Sequence, residues 1–298
     1  MILTNQFGIP ETFVRAIKNH THEGAEYSAS QISLPVRIRE LTRRYSDELY
    51  EDVTDRIWQL VGSSIHYVLQ KGEGQNELVE ELLTEKIRLS DGSDVQFSGT
   101  VDLFEPNNNK VVDYKITSVW SYVYGSRIPE WTEQINCYAY LLRCNFWNVD
   151  SGSVVMIFRD WNKNKAGEKD YPAQQVMEIP VEIWPENQQY GFIDSRLRQF
   201  EMAKNLEDHE LPFCTADERW ETPDSYAVMK KGRKSAVRVL STREEAEAYM
   251  ANNNLDSKHN IEFRRGEPRR CDKYCPVVEY CNQRQNELRG VDKEESPL

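Results

Sequence analysis

The chain has 298 residues, 39% of them hydrophobic and 29% charged, with a formal net charge of -12 at pH 7. That length can bury a real core as one elaborated domain or two small ones. No apolar run approaches the roughly 18 residues of a membrane helix, which excludes a helical membrane protein. The start, Met1-Ile2-Leu3-Thr4-Asn5-Gln6-Phe7, lacks the basic head and apolar middle of a signal peptide. A cytoplasmic location is expected, where cysteines stay reduced and serve metals or catalysis. The acidic balance counts against nucleic acid as a partner. Basic residues nevertheless cluster at Arg37, Arg39, Arg43 and Arg44, at Lys230, Lys231, Arg233 and Lys234, and at Arg264, Arg265, Arg269 and Arg270. Each cluster reads either as a solvated face or as part of a phosphate-binding groove with steep salt dependence.

In chain order, residues 1–50 are mixed and polar, with an arginine-bearing helix near 35–45. Residues 52–71 read as an amphipathic helix, because Ile57, Leu60, Val61, Ile65, Val68 and Leu69 recur at helical spacing. Gly72 and Gly74 end it. A further helix is expected over 76–83, then strands near 85–90, 95–104 and 110–116. Pro129 opens a helix running to about Phe146, with proline in the first turn where it is tolerated. Residues 153–158 form a strand with 175–181 as its partner, and 185–205 a long helix. Beyond residue 210 come short strands at 226–229, 236–240 and 261–263, and a helix over 242–252 with a Thr start and Glu in its first turn. The expected domains are a core over 1–210 with an N-terminal helical region, a small α/β appendage over 211–290, and a mobile acidic tail over 291–298.

The densest chemistry lies in two strands, Gly99-Thr100-Val101-Asp102-Leu103-Phe104 and Lys110-Val111-Val112-Asp113-Tyr114-Lys115, joined by Pro106-Asn107-Asn108-Asn109. Side chains two apart on a strand share a face, so Asp113 and Lys115 project together and a hairpin brings Asp102 alongside. Converging carboxylates repel unless a cation sits between them. A hard divalent ion such as Mg²⁺ or Mn²⁺ takes oxygen ligands. A nearby lysine can then assist the attacking water or stabilise charge growing on a phosphate. This is the chemistry of phosphodiester hydrolysis. The plainer alternative is an Asp113–Lys115 ion pair, or a strand face open to water. His66 lies about 130° from the middle of the apolar stripe of its helix, beside Gly62. It is either structural or a metal ligand. Gln134 and Tyr138 share a helix face and either line a cleft or form a surface pair. Trp120, Tyr122, Tyr124 and Trp131 either pack in the core or stack on unpaired bases.

Cys271-x3-Cys275-x5-Cys281 is compact and follows Arg269-Arg270. Three thiols so close suggest a metal or cluster. Cys214 is the candidate fourth ligand, because it opens the segment that the triplet closes. Joining them would clamp a loop of about 55 residues. Cys137 and Cys144 are expected only to pack. Zinc takes four thiolates, usually from two closely spaced pairs.

In order, the chain carries Gly62-Ser63-Ser64-Ile65-His66, Gly99-Thr100-Val101-Asp102, Val112-Asp113-Tyr114-Lys115 and Gln134-Ile135-Asn136-Cys137-Tyr138. This ordered set resembles the PD-(D/E)XK nuclease superfamily, in its RecB-like branch. The name-giving proline is replaced by Val101. The resemblance implies an α/β, restriction-endonuclease-like core with a mixed central sheet flanked by helices. It implies that His66, Asp102 and Asp113 ligate Mg²⁺ or Mn²⁺ with the backbone carbonyl of Val112 or Tyr114. Lys115 would be catalytic, and Gln134 and Tyr138 would line the cleft. Glu85 would be the acidic residue of the preceding strand. The late cysteine trio with one distant cysteine is similar to the iron–sulfur branch that includes AddB-type helicase–nuclease subunits and CRISPR-adaptation nucleases. It implies a [4Fe–4S] cluster on Cys214, Cys271, Cys275 and Cys281, with structural Zn²⁺ as the alternative. In many relatives the lone cysteine precedes the catalytic motifs, whereas here it follows them.

The implied function is a metal-dependent DNA exonuclease, acting on single strands or duplex ends in processing, recombination or repair, in a bacterial cell or phage-infected host. A helicase, a recombinase or another protein is an expected partner. The rivals are a structure-specific endonuclease, a CRISPR-adaptation processing enzyme, a DNA-end-binding scaffold with a vestigial metal site, and a zinc-stapled interaction module.

Overall fold

A computed structural model describes residues 1–19 and 25–290, so the expected acidic tail lies outside the described residues. The chain divides into two compact units, residues 1–34 with 46–205 and residues 35–45 with 206–298.

The first unit opens with β1 (Ile2–Thr4) and α1 (Glu11–Lys18), then β2 (Tyr27–Ser28). The next helix, α2 (Val36–Arg44), belongs to the second unit. β3 (Tyr50–Asp52) pairs in parallel with β1. The Asp52 carboxylate locks this pair, accepting from Gln6 N at 2.8 Å, Thr54 N at 3.1 Å and the Thr4 hydroxyl at 3.1 Å. α3 (Ile57–Gln70) follows, then β4 (Leu78–Arg88), β5 (Asp94–Glu105) and β6 (Lys110–Thr117). α4 (Val119–Tyr124) is capped by the Ser118 hydroxyl and ended by Gly125 at φ 62°, a conformation that costs glycine nothing. α5 (Ile128–Cys144), β7 (Ser151–Phe158), β8 (Val176–Val181) and α6 (Glu186–Ala203) complete the unit.

The expected helix over 76–83 is instead the first half of β4. Its Glu and Leu residues are good helix formers. They lie, however, beside a strand that offers an unbroken antiparallel edge, from Leu78↔Phe104 to Arg88↔Asp94. Pairing outweighs local propensity.

Six strands form one mixed sheet, β2-β5-β6-β7-β8 with β4 on β5. β4, β6 and β8 run antiparallel to their neighbours β5, β5 and β7, while β6–β7 and β2–β5 are parallel. Because β4 occupies one edge of β5, β2 and β6 share the other. β2 reaches Phe97 and Ser98, whereas β6 pairs only from Leu103 onward. The edge between, residues 99–102, opens a gap in the sheet. Phe97, Val101, Phe104, Val154, Met156 and Phe158 of the sheet are fully buried, as are Ile135, Leu141 and Leu142 of α5 and Ile193 and Leu197 of α6. The buried Asn136 amide ties α5 to the chain after β8, donating to Glu182 O and accepting from Trp184 N and Gln189 Nε2.

In the second unit β9 (Ser225–Lys230), β10 (Arg238–Leu240) and β11 (His259–Arg264) make an antiparallel sheet with β9 in the middle. α7 (Arg243–Asn252) packs on it and starts with a capping box between Thr242 and Glu245. α8 (Arg269–Lys273) and α9 (Asn282–Leu288) close the unit. α2 is built into it by Arg37, which is buried. Its guanidinium donates to Pro212 O, Asp208 O, Leu211 O and Asn282 Oδ1. Arg43 and Arg44 both pair with the buried Glu40 carboxylate. Arg37 and Arg44 of this first basic cluster are therefore taken up by contacts within the unit.

Candidate metal centre and groove

The hairpin β5–β6 sets the site. Its turn is a short helical turn over Pro106–Asn108, closed by Asn109 in the left-handed region at φ 48°. The ladder stops at Leu103↔Val112. The next amide of β6, Tyr114 N, donates to Asp102 Oδ2 at 2.8 Å. A carboxylate thus replaces a ladder carbonyl where the two strands part.

Glu80 of β4 sits opposite Asp102, bracketed by the pairs Val79↔Leu103 and Glu81↔Val101. Its φ is 53°, which a non-glycine residue adopts only at a cost. From α3, His66 Nδ1 comes within 2.8 Å of Glu80 Oε1 and 3.6 Å of Asp102 Oδ1. One donor atom from each of His66, Glu80 and Asp102 lies within 4.8 Å of the other two. Glu80 carried no signal in the sequence beyond its charge. Glu85, the acidic residue expected from sequence, instead accepts from Asn145 Nδ2 on the exposed side.

Asp113 is almost wholly buried and faces Lys115, whose ammonium lies 3.0 Å from Oδ1 and 2.9 Å from Oδ2. Oδ2 has no hydrogen-bond partner of good geometry. Lys115 also donates to Gln134 Oε1 at 2.9 Å, and Gln134 Nε2 donates to the Tyr138 hydroxyl at 2.5 Å. The structure therefore joins Asp113, Lys115, Gln134 and Tyr138 in one chain of contacts.

Burial, and then the charge of Asp113, push the Asp102 carboxyl up to about 7. The hydrogen bond that His66 donates to the Glu80 carboxylate raises His66, with Asp102 adding to it against burial. Burial would lower the Lys115 ammonium, but Asp113 and Asp102 outweigh it and the net shift is upward. Burial raises the Tyr138 hydroxyl well above its ordinary value, so it stays protonated. A buried carboxyl that resists ionising beside another carboxylate, as Asp102 does, is what a site for a cation looks like before the cation is bound.

These groups line a groove of about 570 Å³, walled by α3 (Trp58, Gln59, Gly62, Ser63) and by the unpaired edge of β5 (Gly99, Thr100). α3 has no buried residue, so its apolar stripe is only half covered. Among the described residues lining the groove, Lys115 is the one lysine or arginine.

In the second unit, Gln283 holds the backbone of Cys214 at both its amide and its carbonyl, at 2.8 and 2.9 Å. This seats Cys214 at the start of α9, next to Cys281. The thiols of Cys214, Cys271, Cys275 and Cys281 influence one another electrostatically. Burial is the main cause that raises Cys214 to about 12 and Cys275 to about 11. Arg37 faces Cys281 and Cys214, and Arg219 faces Cys271. Among the described residues no three of these sulfurs come within 4.8 Å of one another, so they are less tightly drawn together than the His66 group. Cys137 is buried in α5, and Cys144 is half-buried beside Tyr140.

No family profile and no curated protein matches the chain. Solved structures similar at a low level include these two. SSO0001 has 16% identity and a TM-score of 0.46, over 65% of this chain and 85% of its own. A phage related exonuclease from Haemophilus somnus 129PT has 12% identity and a TM-score of 0.34, over 63% of this chain and 95% of its own. At these values neither assigns the chain to a family.

Proposed function

We propose that this protein is a metal-dependent deoxyribonuclease of the PD-(D/E)XK kind, hydrolysing DNA phosphodiester bonds. The observation that carries this reading is the meeting of His66, Glu80 and Asp102 donors beside an ammonium, Lys115, held between Asp113 and Gln134. The donor set fits a hard divalent ion, being rich in oxygen, and the buried Asp113 Oδ2, 2.9 Å from the Lys115 ammonium, is a further oxygen without a well-directed hydrogen bond. His66, Glu80 and Asp102 would hold Mg²⁺ or Mn²⁺, with Asp113 and the Tyr114 carbonyl as the remaining donors. Such an ion supplies charge neutralisation at the phosphate and a more acidic attacking water. Lys115, fixed from two sides, would orient the nucleophile or stabilise charge growing on the phosphate. Gln134 and Tyr138 keep its ammonium aimed into the groove. The exonucleolytic form of the reaction rests on the motif resemblance.

Purified protein is expected to digest end-labelled DNA with Mg²⁺ or Mn²⁺ and to stop with EDTA. Lys115→Ala is expected to lose about 10²-fold or more in rate while binding Mn²⁺ as the wild type does. Wild-type rates in Lys115→Ala would remove the proposed role.

Cys214, Cys271, Cys275 and Cys281 would hold a [4Fe–4S] cluster. Two features support the fit. The buried Arg37 guanidinium faces Cys214 and Cys281 and would offset part of the charge of four thiolates, and Arg219, which faces Cys271 while pairing with Glu287 and Glu221, has its Nε buried without a hydrogen-bond partner. Protein purified without air is expected to be brown and to contain iron. A colourless, zinc-loaded sample would support zinc instead.

A further inference from the structure

We infer, resting on the nuclease reading above, that Trp58 is a base-stacking platform at the groove and selects an unpaired DNA strand. Trp58 lines the same groove as His66, Asp102 and Lys115. It lies eight residues before His66 on α3, which places it about 12 Å along the helix axis. That is the span of about three to four stacked nucleotides. Its indole remains 52% exposed, so it is not a core residue. The Arg159 guanidinium lies over the ring, 4.4 Å from its centroid. Arg159 directly follows β7, and its amide donates to Thr117 O at the end of β6, two residues past Lys115. The strand that carries Lys115 and the start of α3 thus meet through an arginine-backed indole. Beyond Thr117, α4 presents an aromatic pair, Trp120 and Tyr124. They are stacked at 5.7 Å with 19° between planes and are 48% and 73% exposed.

Charge decides which form of DNA this groove suits. A duplex brings one phosphate charge for about every 1.7 Å of axis. The groove sets against it Lys115 among its described lining residues and Arg159 over the Trp58 ring, two cations that Glu80 and Asp102 balance. The protein as a whole carries -12. Electrostatics therefore contributes little to holding DNA here. Stacking on an aromatic face needs no such charge and accepts any base, provided the base is unpaired.

The test measures binding of a fluorescent oligo(dT) and of a hairpin duplex of the same length, in EDTA so that nothing is cleaved. Wild-type protein, Trp58→Leu, Trp58→Phe and Arg159→Gln are compared, each checked by thermal melting. Wild type is expected to prefer oligo(dT). Trp58→Leu is expected to bind oligo(dT) about tenfold or more weakly, with duplex binding little changed. Trp58→Phe keeps a ring and is expected to retain most of the affinity, with Arg159→Gln in between. Equal oligo(dT) affinity in wild type and Trp58→Leu, an equal loss on duplex, or Trp58→Phe as weak as Trp58→Leu would overturn the platform. Digestion with Mn²⁺ is followed in parallel. A wild type that cuts no DNA sinks the nuclease reading, whereas one that cuts while ignoring Trp58 sinks only this inference.

Discussion

Glu80 holds a left-handed backbone conformation in the middle of a strand, opposite a buried aspartate. Such a residue costs of order 1 kcal/mol or more and persists where the surroundings require it. Glycine would relieve that cost, although it loses some of the gain through its freer unfolded chain. Glu80→Gly is therefore expected to melt within about 2 °C of wild type, or higher, in EDTA, while binding Mn²⁺ at least about tenfold more weakly. Calorimetric titration and melting curves read the two effects separately. A much lower melting temperature would mark Glu80 as structural.

Asp102 carries a pH signature with a definite sign. Its folded value of about 7 stands above its ordinary value of 3.8. The protonated form is thus favoured by folding. The stability it contributes is complete below about pH 4 and is lost as pH rises towards 7. In EDTA, the melting temperature of wild type relative to Asp102→Asn should fall over that interval and level off above it. Bound metal needs both Asp102 and His66 without their protons, so Mn²⁺ affinity should rise between pH 6 and 8. An affinity flat with pH would remove both groups from the site.

At the scale of elements, the groove exists because β2 and β6 share one edge of β5 and leave residues 99–102 unpaired. Gly99 lets α5 come down close to this stretch. A Cβ there would stand 2.9 Å from both Leu141 Cδ1 and Tyr138 Cε1. Gly99→Ala should cost about 1–3 kcal/mol and displace the Tyr138 ring that supports Gln134. Urea unfolding checks the first effect and the cleavage rate the second. An unchanged midpoint would mean that α5 moves aside freely. The β5–β6 hairpin itself was legible from alternation and turn residues. The strand β4 was not, because Glu77-Leu78-Val79-Glu80-Glu81-Leu82-Leu83 favours a helix until a neighbouring edge is available.

For the molecule as a whole, the second unit takes a short piece of chain, residues 35–45, from within the sequence of the first. α2 joins residues 206–298 rather than the units of its sequence neighbours. Arg37 is the anchor, because removing it leaves several buried carbonyls without a donor. Arg37→Ala should cost at least about 3 kcal/mol. Hydrogen exchange should show the loss in residues 206–290, with the six-stranded sheet still protected. Even loss throughout the chain would show that the two units unfold as one.

Periodicity, turn chemistry and motif order were enough to place most strands and helices and to put Asp102, Asp113 and Lys115 on one hairpin. Those features depend on residues near in sequence or on a fixed order of chemical types. The donors that meet, however, are His66, Glu80 and Asp102, without Asp113. Three things needed the tertiary structure: Glu80 in place of Glu85 beside His66, the burial of Arg37 in the second unit, and the approach of Arg159 to Trp58. Each joins residues distant along the chain, and what brings them together is the register of strand pairing and the packing of helices, neither of which leaves a local mark on the residues involved.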